Sequence, residues 1–100
     1  MRPVHLARMD KTRPVVILTR EAVRPHLRWV TVAPVTSRVR GLSTEVEVGN
    51  ANGLDQPSAI SCDNVTTIPV SALGRLVGYL SADQESALAR ALITAYDVGA

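Results

Sequence analysis

One hundred residues make a single domain, expected to run from 1 to 100, with one core and no room for a second. Three aromatics and no Phe leave that core to Val, Leu, Ile and Ala, which favours a compact sheet over a large ligand cavity. The lone Cys62 excludes an internal disulfide and a cysteine zinc cluster, apolar runs such as Val15–Leu18 are far too short to cross a bilayer, and no basic-plus-hydrophobic signal opens the chain, so a reducing cytoplasm and no membrane are expected.

The net charge of +2 conceals a split. Residues 1–40 carry nine Arg or Lys against Asp10 and Glu21, a net +7, while residues 41–100 carry Arg75 and Arg90 against seven acids, a net −5. Such asymmetry points to a polyanion or a polyacidic protein as partner. Ten of the eleven cations are Arg, and a guanidinium forks onto phosphate where an ammonium offers only a point charge.

In chain order, Val4–Ala7 is a short strand candidate and Met9–Thr12 a polar, basic loop. Val15–Leu18 is a continuous β-branched run, as in a strand buried on both faces. Arg20–Leu27, with Pro25 and mixed charge, reads as a loop with room for one helical turn. Trp29–Val35 is apolar on both alternating sets, hence interior, with Pro34 weakening its end. Thr44–Val48 alternates Val46 and Val48 with Glu45 and Glu47, a half-exposed strand. Gly49–Pro57 is the strongest turn cluster. Ser58–Cys62 and Val65–Val70 are further strands around Asp63-Asn64, and Leu76–Leu80 is either a last short strand or the end of a turn begun at Ser71. The chain closes in a helix: Ser81 as N-cap, Gln84 at the capping-box position, Asp83 and Glu85 in the first turn, Leu88, Ala91, Leu92 and Ala95 along one apolar face, and Gly99 as a stop. Strands first and one terminal helix predict an α+β fold, a strongly twisted antiparallel sheet or small barrel with the helix against it. Open edges in such a sheet favour a homodimer.

The chemistry concentrates at two strand ends. Arg13-Pro14 opens one interior strand and Thr36-Ser37 closes the next, so a guanidinium and a hydroxyl can converge at one rim of the sheet, with Arg38 and Arg40 nearby. That combination suits a phosphodiester. Arg38 and Arg40 are one strand period apart and share a face. Asp63 and Asn64 can read base edges or simply form a turn. Trp29 can stack on a base, though core or dimer packing suits it better. His5 and His26 lie in unrelated contexts without ligand spacing, so no metal or cofactor is expected; His5 fits a partly buried strand position, and Cys62 a small buried hydrophobe.

At Arg13-Pro14-Val15-Val16-Ile17-Leu18 and Val32-Ala33-Pro34-Val35-Thr36-Ser37 the chain resembles the MazF/PemK-like toxins, the endoribonuclease halves of toxin–antitoxin modules. Gly53–Ile60 looks like that family's loop into the next strand, and Asp63–Ile68 like its following block; the similarity runs from Val4 to Ala95 in matching order. The resemblance implies an SH3-like barrel, a homodimer, and metal-independent cleavage of single-stranded RNA by the ribose 2′-hydroxyl. It makes Arg13 and Thr36 the catalytic pair; from their own chemistry and position beside that pair, Lys11, Ser37, Arg38, Arg40, Asp63 and Asn64 are the expected RNA contacts. It further implies a cognate antitoxin with an acidic, flexible tail. Three departures stand out: the family's Arg-Gly-Asp start is replaced by Arg2-Pro3-Val4, the loop Arg8–Thr12 is short, and a usual Arg is Thr66. Two other readings stand beside it: the related CcdB-like toxins, which share the barrel and bind DNA gyrase through the C-terminal helix, would put the working surface around Tyr96–Ala100, and an RNA-binding barrel would bind without cleavage.

Overall fold

The computed structural model describes residues 1–99. Seven strands precede one helix: β1 (Pro3–Arg8), β2 (Thr12–Ile17), β3 (Trp29–Thr36), β4 (Glu45–Val48), β5 (Ser58–Ser61), β6 (Thr66–Pro69), β7 (Leu73–Tyr79) and α1 (Ala82–Tyr96). All pairings are antiparallel, in the order β4-β5-β3-β2-β1-β7, with β6 also on β3. The result is a curled sheet, half of a barrel, closed over by the C-terminal helix.

β3 organises the curl. One of its edges pairs with β2, and its other edge is shared: Trp29–Val32 face β6, while Val35 and Thr36 face β5. Between the pairs Val35↔Ile60 and Val32↔Thr66, six steps on one side oppose three on the other. The surplus is taken up by a 3₁₀ turn at Cys62–Asn64, which kinks the edge outward like an enlarged bulge. The expected strand through Cys62 therefore stops at Ser61, and Asp63 and Asn64 are lifted clear of the sheet.

Strict alternation splits the core. Val16, Ala33, Val35, Val46, Val48, Ile60 and Leu80 face α1, meeting Leu88 and Ala91; Val15, Ile17, Val30, Val32 and Ile68 face the other way. β2 is thus buried on both faces, as its unbroken β-branched run predicts, with Val15, Val16 and Ile17 all sealed. Cys62 is buried too, at 1% exposure.

α1 begins with the capping box expected at Ser81: its hydroxyl accepts from Gln84 N at 3.1 Å and Gln84 Oε1 accepts from Ser81 N at 2.9 Å. Gln84 also exchanges two hydrogen bonds with buried Asn52, tying the helix start to the Asn50–Asn52 turn. The helix ends at Tyr96 rather than at Gly99. Asp97 takes the left-handed conformation and donates to Ile93 and Thr94, an αL cap that Asp tolerates better than most residues. β7 is the largest departure. It starts at Leu73, three residues before the expected strand, because pairing with β1 imposes extension on a segment whose Gly74, Arg75 and Gly78 break any pattern. Gly78 is required there: a Cβ would strike the Asn52 carbonyl, where the turn passes directly against the strand.

Candidate active site

β2 and β3 bring the two strand ends together. Their pairs run Val15↔Pro34, Val16↔Ala33 and Ile17↔Val32, and the same register carried two residues further sets Arg13 opposite Thr36. Pro14 and Pro34 lack amide protons, so the ladder stops where the site begins. Both side chains then line the same two hollows. One, of about 430 Å³, is walled by Arg13, Thr36, Arg38, Arg40, Ser61, Asp63 and Asn64 among others; the second, about 350 Å³, adds Lys11, Ser37, Asp55 and Gln56. The expected catalytic pair and every expected RNA contact border this double groove, and Arg13 and Thr36 line both of its halves.

Arg13 is held against Asp10 with part of its guanidinium unpaired. Its side chain is only a quarter exposed, its Nε is buried without a hydrogen-bond partner, and its Nη2 donates to both oxygens of Asp10 at 3.0 Å. A buried donor without an acceptor costs about 1–3 kcal/mol, a price tolerated chiefly where a ligand matters. Thr36 Oγ1 accepts the Arg38 amide at 3.1 Å, which leaves its own proton to donate into the groove.

The remaining walls are braced. Glu45 Oε1 accepts from the amides of Arg40, Gly41 and Leu42 at 3.1, 2.8 and 3.2 Å, so one carboxylate folds the loop that carries Arg38 and Arg40. Asp63 accepts the Thr44 hydroxyl at 2.6 Å and Asn64 donates to Ser61 Oγ at 2.7 Å, which holds the kinked edge as a wall. Burial first and Asp63 second push the Cys62 thiol up to about 11, so this cysteine stays a neutral packing group behind the wall.

Asp10 is the residue sequence reasoning passed over. The sequence puts it in a polar, basic loop, yet Arg8↔Thr12 pairing closes β1 and β2 in a three-residue turn, with Met9 N donating to Lys11 O at 3.1 Å. That tight reversal places Asp10 on Arg13. The signal was an acid three residues before the key arginine, across a loop too short to wander. His5 lies on β1, half-buried, its Nδ1 3.0 Å from Gly74 O. Trp29 is not core: 58% of it is exposed, at the far end of β3 from Thr36. A separate hollow of about 500 Å³ near the start of α1 has its polar groups already engaged, since Asn52 Nδ2 bonds Tyr79 O and Gln84 Oε1. Among the described residues no three His, Cys, Asp or Glu side chains gather as metal ligands do.

A family model described as "PemK-like, MazF-like toxin of type II toxin-antitoxin system" matches residues 2–96. The chain is 64% identical over 98 residues to Endoribonuclease MazF3 of Mycobacterium tuberculosis, covering 98% of this chain and 95% of the relative. The chain belongs to the PemK-like, MazF-like endoribonuclease toxins of toxin–antitoxin systems. The probable endoribonuclease MazF5 of the same organism is 37% identical over 86 residues, covering 85% of this chain and 79% of the relative. Among solved structures, Mycobacterium tuberculosis toxin MazF-mt6 superimposes with a TM-score of 0.96 at 63% identity, over 99% of this chain and all of that one. An endoribonuclease solved in complex with its cognate antitoxin, from a Mycobacterial species, shares the MazF fold with a TM-score of 0.87 at 22% identity, over 98% of this chain and 94% of that one.

Proposed function

We propose that this MazF-family toxin cleaves single-stranded RNA in the double groove, without metal, by attack of a ribose 2′-hydroxyl on the adjacent phosphate. The convergence of Arg13 and Thr36 on both halves of the groove supports this most directly. In-line attack builds a dianionic phosphorane. The Arg13 guanidinium neutralises that charge and the Thr36 hydroxyl donates to a non-bridging oxygen, both held by strand ends before the substrate arrives. Asp10 accepts the 2′-hydroxyl proton once the phosphate draws Arg13 toward itself. The 5′-oxygen leaves as its bond to phosphorus breaks and takes a proton from the Arg13 guanidinium, which regains one from solvent while Asp10 releases the proton it took. The products are a 2′,3′-cyclic phosphate and a free 5′-hydroxyl. Arg38, Arg40 and Lys11 take flanking phosphates, while Asp63, Asn64 and Ser37 face the bases.

The chain acts as a homodimer in the cytoplasm, where β4 and β7 leave the sheet with open edges and Val39, Leu42, Ile93 and Tyr96 stay exposed. An acidic antitoxin tail laid over the same arginines restrains it, an expectation the type II toxin–antitoxin family supports. The experiment is incubation of the purified toxin with total RNA in EDTA, followed by end mapping. Cleavage that survives chelation and leaves cyclic phosphates is expected, and Arg13→Ala abolishes it in a protein with unchanged circular dichroism. Cleavage that vanishes in EDTA and returns with Mg²⁺ would sink the mechanism. Growth arrest without RNA products would favour the gyrase-binding alternative.

A further inference from the structure

The groove at Arg13 is the first of a series of hollows. Its Lys11 side shares Leu6 and Thr12 with a hollow of about 200 Å³ between the end of β1 and the start of β7, lined by Arg8 and Arg75. That hollow shares Ser71 with another, of about 510 Å³, formed by Leu27, Arg28, Trp29, Pro69 and Val70. Arg8 spans the joint, its Nη2 donating to Ser71 O at 3.2 Å. Past Thr12 the track carries three exposed arginines, Arg8, Arg75 and Arg28, and no acid lines it. It ends on the only tryptophan of the chain, 58% exposed, beside Leu27 and Val70 at 41% and 37%. Seven strand steps separate Trp29 from Thr36, about 23 Å along β3.

We propose that this track is a second RNA-binding site, where the strand flanking the cut continues past Arg8 and Arg75 and stacks a base on Trp29. The inference rests on the nuclease reading above and extends it to a remote contact. A flat, unburied indole bordered by an arginine is the platform that single-stranded nucleic acid uses, and spaced guanidiniums without acids track a phosphate backbone. Continuity with the cleavage groove selects RNA over a separate protein ligand, because the same polymer reaches both. The site adds affinity for long or folded RNA and adds nothing for a fragment that fills only the groove.

Trp29 reports on its own site, being the sole source of tryptophan fluorescence. The toxin is titrated with two fully 2′-O-methyl oligonucleotides, which lack the attacking hydroxyl: one covering only the mapped cut site, the other extended well beyond it on both sides. Quenching by the long form alone is expected. Trp29→Ala weakens binding of the long form about tenfold or more, the increment of one stacked base, and Trp29→Phe restores most of it. Arg75→Ala or Arg28→Ala lowers the salt slope for the long form by about 0.7 each. Equal affinity of Trp29→Ala and wild type for the long form overturns the proposal. So does a drop in solution mass in Trp29→Ala, which makes the patch a contact between copies, or quenching by poly-glutamate as strong as by RNA. Cleavage of the short ribose oligonucleotide by the wild type reports on the active site separately: with cleavage present and no long-form advantage, only the second site fails.

Discussion

Asp10 and Arg13 form an ion pair that water reaches easily from the Asp10 side, 73% exposed, and less from the arginine, 25% exposed. Such a pair adds little to stability, since an exposed partner is screened and mobile. In the proposed mechanism its worth is positional and chemical. Asp10→Asn keeps the shape and removes the proton acceptor, so single-turnover cleavage is expected to fall by about 10²–10⁴, with RNA binding retained. Equal rates for Asp10→Asn and wild type would remove Asp10 from the mechanism. Cys62 offers a test of the wall behind Asp63. Its thiol titrates near 11 when folded, against an ordinary value of 9.0, so the folded chain holds that proton where the unfolded chain has lost it. The stabilisation is complete below pH 9 and disappears as pH rises toward 11. Denaturant midpoints are expected to fall across that window in wild type and to fall less in Cys62→Ala. At this scale the placement of Arg13 beside Thr36 was legible, because a cation opening one apolar run and a hydroxyl closing the next meet once the two runs pair antiparallel. Asp10 was hidden because its role depends on how sharply the chain reverses between β1 and β2.

Among the elements, α1 was readable almost to the residue and β7 was not. A capping box and a 3.6-residue apolar face are local signals, and Ser81, Gln84, Leu88 and Ala91 behave as their spacing says. β7 owes its extension to β1 across two register shifts, a long-range cause that leaves no mark on the sequence between Leu73 and Tyr79. The 3₁₀ helix at Glu21–His26 forms around Pro25 and buries nothing, so periodicity could not announce it. Gln84 joins local and long-range structure, capping α1 while satisfying buried Asn52. Gln84→Ala therefore leaves the Ser81 amide uncapped and takes from buried Asn52 two of its four hydrogen bonds, an expected loss of about 1–2 kcal/mol by chemical denaturation. A loss under 0.5 kcal/mol would mean that water replaces it fully.

For the whole molecule, the groove proposed for cleavage and the contacts that hold the fold sit at different ends of the sheet. The helix-facing core and the Asn52–Gly78 contact hold β7, β1 and α1 together, whereas the groove lies where β2 and β3 run out of hydrogen bonds. Gly78→Ala should lower stability by about 1–3 kcal/mol through overpacking. For a domain of this size that is a melting-point drop of roughly 4–8 °C per kcal/mol, with the cleavage pattern of the folded fraction unchanged. An altered cut site in Gly78→Ala would show that the two ends are coupled. The α+β sheet with its closing helix was legible from the order of strands and helix. Its curl was not, because it depends on the surplus residues along one edge of β3.

Those three surplus residues carry a design lesson. Excising Cys62–Asn64 would let β5 run straight into β6 in a single register against β3, since the pairs on either side then agree. The smoother ribbon would gain rungs and lose the mouth that Asp63 and Asn64 frame. On this edge a regular ladder and a walled cleft are mutually exclusive, so the most orderly version of the molecule would lack the wall on which the proposed cleavage relies.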